Sequence, residues 1–220
     1  MCSSDLPSVS PSAAGDPGRT SRPQEPMKSV VGVLALQGAF AAHIEMLASL
    51  EVPAREVRTI DDLDAVDALV MPGGESSTMW KLLGSSGLDG PIAARIGSGM
   101  PVFGTCAGMI LLATEVLDGR ADQSSFGAID MSVRRNAYGR QVDSFETDLD
   151  TTVGRVRGVF IRAPRIERTG PGVEVLASLD GEPVLVRSQN ALAASFHPEL
   201  SGDPGLHRYF VSTIREPGRV

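Results

Sequence analysis

From residue 30 onward the chain alternates short apolar runs with amphipathic stretches. "VVGVLAL" (30–36) is apolar at successive positions and ends at Gln37-Gly38, which predicts a strand buried on both faces. Phe40, Ile44, Leu47 and Leu50 follow at helical spacing, and "AREV" (54–57) reads as a second strand. Asp61 is placed to cap a short helix before "ALVM" (68–71), a third buried strand that runs into "PGGESS". Helices are predicted around 78–83 and 92–96, then a strand at "PVFG" (101–104) and a helix over Ala107–Thr114. Strands and helices alternating at this length predict an α/β fold, a mostly parallel sheet with helices on both faces.

The second half has a different rhythm. "AIDMSVRRNA", "DSFETDLD", "GVFIRAPRIE", "VEVLASLDG", "EPVLVRSQ" and "ALAASFHPE" read as strands separated by short turns, Asp180-Gly181 among them. They predict antiparallel additions to the sheet, closed by a helix around Leu206–Ile214. The start of the chain follows neither pattern. Residues 1–26 hold six Ser, five Pro and two Gly, 13 of 26 positions, too few apolar groups to offset the entropy of ordering. A disordered extension is expected over residues 1–28, with Met27 a candidate translation start, and one domain over residues 29–216.

Composition narrows the classes. With 220 residues and 42% hydrophobic content the chain can bury a full core, and a formal charge of −7 argues against a nucleic-acid partner. No apolar run approaches the length needed to span a bilayer, so no membrane association is expected. The two cysteines, Cys2 in the tail and Cys106 in the expected core, fit a reducing compartment, and no secretory signal precedes the first strand. A cytoplasmic location is expected.

Four segments carry candidate chemistry. Gly104-Thr105-Cys106-Ala107-Gly108 puts a cysteine on a strand-to-helix turn, where the following helix aims free N–H groups at the sulfur. On its own the turn fits a nucleophile and a buried small residue equally. "SFHPEL" offers His197 as a base and Glu199 as its orienting carboxylate, since an i, i+2 pair in extended chain points to one side. A lone His-Pro-Glu is also a common surface turn. His43 and His207 compete as bases, although helical histidines are usually packed or solvated. "MPGGESS" (71–77) lies at the carboxyl end of a predicted strand, where open parallel sheets bind ligands; Glu75 and Ser76 fit equally as helix caps. "RRNAYGRQVDSFE" (134–146) and "GVFIRAP" (158–164) supply arginines able to grip a carboxylate, or simply a polar rim.

In this order, strand-"LQG", "PGGES", "GTCAG", "RN-x-(aromatic)-GRQ-x-DSFE", "GVFIRAP" and "SFHPEL" resemble a class I (triad) glutamine amidotransferase. Within that family the resemblance is to the glutaminase subunits of pyridoxal 5′-phosphate synthase, over about Val30 to Ile214. It implies a flavodoxin-like doubly wound domain that hydrolyses L-glutamine to glutamate and ammonia. It also implies a partner in the form of a separate synthase subunit, to which ammonia passes shielded from solvent, with no cofactor and no metal. By position Cys106 matches the nucleophile, His197 the general base and acid, and Glu199 the orienting residue. Gly74, Glu75 and Ser76 match the glutamine-binding loop, with Arg135, Ile161 and Arg162 as further substrate contacts. The oxyanion hole is implied to be the backbone N–H groups of Gly74 and Ala107. Ala137-Tyr138 stands where Ser-Phe is common, and Ala41-Ala42 replaces more polar residues beside His43; Gln37 is expected near the partner surface. The alternatives are a triad glutaminase serving another synthase, a stand-alone γ-glutamyl hydrolase, or a non-catalytic module with a reactive cysteine. The last would not need both His197 and Glu199.

Overall fold

The computed structural model describes residues 1, 29–120, 122–135 and 144–214. The expected extension, Met1 apart, and the Asn136–Asp143 part of the arginine motif lie outside the described residues. Seven strands form the main sheet. β1 (Val31–Leu34), β2 (Ala54–Val57), β3 (Ala68–Met71) and β4 (Val102–Thr105) come from the first half, and β12 (Ala191–Ala194) from near the end of the chain. These five run parallel in the order β2-β1-β3-β4-β12, the flavodoxin-like order. β11 (Glu182–Ser188) adds antiparallel to β12, and β10 (Glu174–Leu179) antiparallel to β11. The expected α/β class with antiparallel additions is therefore observed, except that β12 joins the parallel set.

The apolar runs form central strands because each residue finds a buried face. Leu34, Leu69, Met71, Val102 and Ala193 pack on one side, with α3 (Ser76–Ser86), α4 (Asp89–Gly97) and α5 (Ala107–Leu112). Their strand neighbours Val33, Ala68, Val70, Phe103 and Ala194 pack on the other, with α1 (Phe40–Ser49) and α6 (Gly205–Thr213). Successive strand residues point to opposite faces, so an unbroken apolar run is what a doubly covered sheet requires.

Several boundaries differ from expectation for local reasons. Thr59, not Asp61, caps the short helix α2 (Ile60–Asp64), closing a capping box with Asp62. α5 stops at Leu112 because Ala113–Val116 leaves as β5, paired with β6 (Ile129–Arg134) and through it with β9 (Arg165–Thr169). The single strand expected over 158–167 is two: β8 (Gly154–Phe160) and β9, separated by Ile161–Pro164. Arg162 adopts φ 45° in that break. β8 pairs with β7 (Phe145–Thr151) as a separate hairpin. Asp180 and Gly181 both take positive φ, the two-residue turn that suits a twisted hairpin, and so join β10 to β11 as expected.

The glycines flanking Cys106 let α5 lie directly on the sheet. A Cβ at Gly108 would stand 2.0 Å from the Met71 carbonyl oxygen, and one at Gly104 would stand 2.5 Å from the Gly108 carbonyl oxygen. Both obstacles are backbone, so neither can turn aside. Gly108→Ala is expected to lower stability by about 1–3 kcal/mol, the usual cost of overpacking, read as a reduced urea midpoint at unchanged m-value.

Candidate active site

Cys106 directly follows β4, in a backbone conformation, φ 49° and ψ −104°, that non-glycine residues rarely adopt. Its amide donates to the Ala194 carbonyl at 2.8 Å, which pins the turn to β12. α5 starts at the next residue, so the Ala107 amide is among the first N–H groups of the helix and has no intrahelical acceptor. The sulfur-bearing residue is only 7% exposed, yet it lines an open cavity.

The strand pairing brings the histidine there. β12 runs parallel beside β4, with Thr105 opposite Ala194, so the chain beyond each strand leaves from the same edge of the sheet. His197 follows three residues later, and its amide donates to the Val159 carbonyl of β8 at 2.8 Å. Its side chain meets Glu199, Nδ1 to Oε1 at 2.7 Å. The pair meets through a 3-10 turn at Pro198–Leu200 and not, as expected, through extended chain. Burial favours a neutral ring at His197, but the hydrogen bonds and charges of Cys106 and Glu199 outweigh it and push its pKa up to about 10. Glu199 is buried, which opposes its charge, yet the His197 hydrogen bond and the nearby ring of His43 hold it below the usual carboxylate range. The arrangement offers a sulfur facing a protonated imidazole whose far nitrogen is fixed by a carboxylate.

One cavity of about 320 Å³ is lined by Cys106, His197, Gly74, Glu75, Ser76, Ala107, Arg135, Ile161 and Arg162, with Ile110 and Pro164. Among the expected site residues Glu199 alone stands outside the lining, behind His197. Glu75 acts as a cap: its carboxylate accepts from the Ser77 and Thr78 amides at 3.3 and 2.7 Å and from the Ser77 hydroxyl. Burial opposes the charge, but the Thr78 and Ser77 hydrogen bonds hold its pKa at about 2. Ser76 is the first residue of α3 and not its cap. Gly73 closes the gap between loop and triad, for a Cβ there would stand 2.2 Å from His197 Cε1 and 3.3 Å from Cys106 Cβ.

Three further polar side chains support the site. Gln123, which no sequence motif singles out, donates to the Ser76 hydroxyl at 3.1 Å and accepts from Arg135 at 2.8 Å. It thereby ties the arginine to the glycine loop. Gln37, expected near the partner surface, accepts from the Glu75 amide at 3.1 Å. His43, placed on a helix as a competing base, is fully buried behind Glu199, its Nε2 3.4 Å from Oε2. Its helical spacing from Met46 and Leu47, both buried, was the available signal.

A family model described as the SNO glutamine amidotransferase family matches residues 33–216. The chain belongs to this glutamine amidotransferase family. It is 54% identical over 191 residues to "Pyridoxal 5′-phosphate synthase subunit PdxT" of Mycobacteroides abscessus, covering 86% of this chain and 99% of that one. The Thermus thermophilus protein of the same name is 54% identical over 187 residues, covering 84% and 97%. A crystal structure of a glutamine amidotransferase superposes with TM-score 0.79 at 50% identity, over 84% of this chain and 98% of the other. The structure of PurLQS from Thermotoga maritima, at 15% identity and TM-score 0.64 over 86% of this chain and 100% of the other, shares the fold.

Two outcomes test this amidotransferase site. In Gly73→Ala the new methyl displaces His197, and glutamine hydrolysis falls by about 10²–10⁴, the range of a lost acid–base group, while the urea midpoint moves far less than for a core truncation. The second concerns the buried histidines. Burial, opposed by Glu199, lowers His43 to about 4, and burial with His43 nearby lowers His207 to about 3. Both titrate near 6.5 when unfolded, so the unfolded chain binds more protons below that pH. Their contribution to stability is complete above pH 6.5 and is lost as pH falls toward 4 and 3. Urea midpoints measured from pH 7 to pH 4 should decline, and His207→Phe should roughly halve the histidine part of that slope.

Proposed function

We propose that this chain is the glutaminase subunit of a pyridoxal 5′-phosphate synthase, hydrolysing L-glutamine to L-glutamate and ammonia for a separate synthase subunit. What carries this reading is identity of 54% with PdxT proteins over essentially their whole length. The cavity supports it, since a cysteine, a histidine–carboxylate pair and an arginine face one space. The glutaminase domain is read as residues 29–216, and its site of action as the cytoplasm; no helix among the described residues is long and apolar enough to cross a membrane.

In this mechanism glutamine lies with its α-carboxylate toward Arg135 and Arg162, and its side-chain amide beside Cys106. Arg135 spends one N–H on Gln123, and its guanidinium has others to offer. The Cys106 thiolate attacks the amide carbon, and the tetrahedral oxyanion is held by the Gly74 and Ala107 amides, each such donor worth roughly 3–4 kcal/mol. His197 gives its proton to the departing ammonia, then takes one from water as that water cleaves the γ-glutamyl thioester. Glu199 fixes the ring throughout. Ammonia passes to the synthase subunit sheltered from solvent, and docking of that partner on the exposed Gly74–Glu75 loop completes the oxyanion hole.

The test is release of ammonia and glutamate from glutamine by the full chain, measured for the chain by itself and mixed with the synthase subunit. Equimolar products are expected, at a rate that rises on mixing. Cys106→Ala should lower kcat by at least about a thousandfold. Wild-type turnover in that variant, or no hydrolysis by the native pair, overturns the proposal.

A further inference from the structure

The triad leaves two buried histidines without a task. His43 on α1 and His207 on α6 are both fully buried, and their rings join Nδ1 to Nε2 at 2.8 Å. The other nitrogen of His43, Nε2, lies 3.2 Å from the Thr105 hydroxyl and 3.4 Å from Glu199 Oε2. Thr105 immediately precedes Cys106. Glu199 therefore has two differently served oxygens. Oε1 meets the His197 ring at 2.7 Å, whereas Oε2 is buried and makes no hydrogen bond among the described residues; His43 Nε2 approaches it at 3.4 Å.

The proton positions follow from chemistry. A carboxylate oxygen can only accept, so the nitrogen turned toward Oε2 carries hydrogen and His43 is the Nε2–H tautomer. Its Nδ1 is then a lone pair, which requires His207 to present Nε2–H. His207 Nδ1 is left as a bare lone pair, and it is the ring atom that has no partner among the described residues. Reversing both rings would also satisfy the two hydrogen bonds, with the Thr105 hydroxyl donating to His43 Nε2, but it would turn a lone pair toward the carboxylate and leave the His207 Nδ1–H with no acceptor among the described residues.

We propose that His43 is a positioning residue for the glutaminase reaction. Its Nε2–H, oriented by His207, steadies the outer oxygen of Glu199 and so holds the carboxylate on His197. The proposal rests on the glutaminase reading above. His43 is faced by His207 from α6, by Glu199 and then His197 from the 3-10 turn, and by Thr105 and the edge-on Phe103 ring from β4. None of these supplies Oε2 with a second donor. Burial keeps both rings neutral near pH 7, so the contact is a neutral donor on a buried carboxylate and not an ion pair.

Removing that donor leaves Glu199 Oε2 bare in the interior, which favours protonation of the carboxyl and loosens its hold on His197. The experiment uses the full chain in complex with its synthase subunit. It follows kcat and KM for glutamine against pH in His43→Phe, His43→Gln and His207→Phe. His43→Phe should lower kcat about 10- to 100-fold, the scale of a polar donor removed from beside a buried charge, with KM little changed and the acid limb of the kcat profile moved to higher pH. His43→Gln, whose amide can place an N–H near the same point, should restore most of both. His207→Phe should shift both in the same direction but less. An unmoved acid limb in a folded His43→Phe, or equal loss in His43→Gln and His43→Phe, overturns the proposal in favour of packing. Proton–nitrogen NMR of the wild-type chain judges it independently of folding variants and of activity. Neutral Nε2–H rings at both histidines at pH 7 support it, and an Nδ1–H or charged His43 overturns it. Absence of glutamine hydrolysis in the wild-type complex would sink the functional reading alone.

Discussion

The hydrogen bond from the Cys106 amide to the Ala194 carbonyl, 2.8 Å long, is the last rung between β4 and β12, and the reacting groups are assembled around it. It fixes the turn that lifts the sulfur out of the core, where φ of 49° costs about 1–3 kcal/mol. It also sets where β12 ends, so that His197 emerges beside the cysteine. The histidine turn has a second anchor on β8, through the His197 amide and the packing of Phe196 against Phe160 at 5.3 Å. Two strand ends and one hairpin thus replace what would otherwise be the entropy of closing a loop of some ninety residues. A strained residue persists there because its surroundings leave it no other place.

That dependence explains what the sequence could disclose. The central strands were legible because burial on both faces writes itself as an unbroken apolar run, as in "VVGVLAL" and "ALVM". The Asp180-Gly181 turn was legible because positive φ at both positions restricts residue type. The meeting of Cys106 with His197 was not legible from spacing, since β4–β12 pairing is non-local; only the combined order of motifs suggested it. The break after Phe160 was also hidden. Apolar residues recur along the whole of "GVFIRAPRIE" as in one strand, and the interruption follows from where β8 and β9 find partners in different sheets. Helix α5 ends early for the same reason, its C-terminal residues being drawn into pairing with β6.

Polar groups hidden from pattern reading share one cause. His43 sits on a helix face whose other buried members, Met46 and Leu47, are apolar, so periodicity marks its position as core but assigns no chemistry. Its meaning depends on α6 and the 3-10 turn, which bring His207 and Glu199 to it from far along the chain. Gln123 is a similar case, for its two partners belong to α3 and to the end of β6. Burying Glu199 unpaired would cost several kcal/mol, and the His197 hydrogen bond on Oε1, with the His43 ring 3.4 Å from Oε2, brings that cost down. A carboxylate in the interior therefore needs companions, and the sequence names the carboxylate more readily than the companions.

The cavity is built from two kinds of material. Cys106, His197 and Glu199 are at most 8% exposed and are gripped by the sheet. Gly74, Glu75 and Arg162 are exposed, and Arg135 is half-buried. The binding side of the site therefore depends on cross-links rather than on core packing: Gln37 holds the Glu75 amide, Glu75 holds the start of α3, and Gln123 bridges Ser76 to Arg135. Each link is a single hydrogen bond or a small set of them, worth about 1 kcal/mol net apiece, whereas the triad is held by a doubly covered sheet. A perturbation arriving at the loops can consequently alter how substrate and oxyanion are held while leaving the nucleophile and its base in place. Gly73 marks the limit of that independence, because it lies against both His197 and Cys106; movement of the loop is tolerated only in directions that keep its backbone clear of the imidazole.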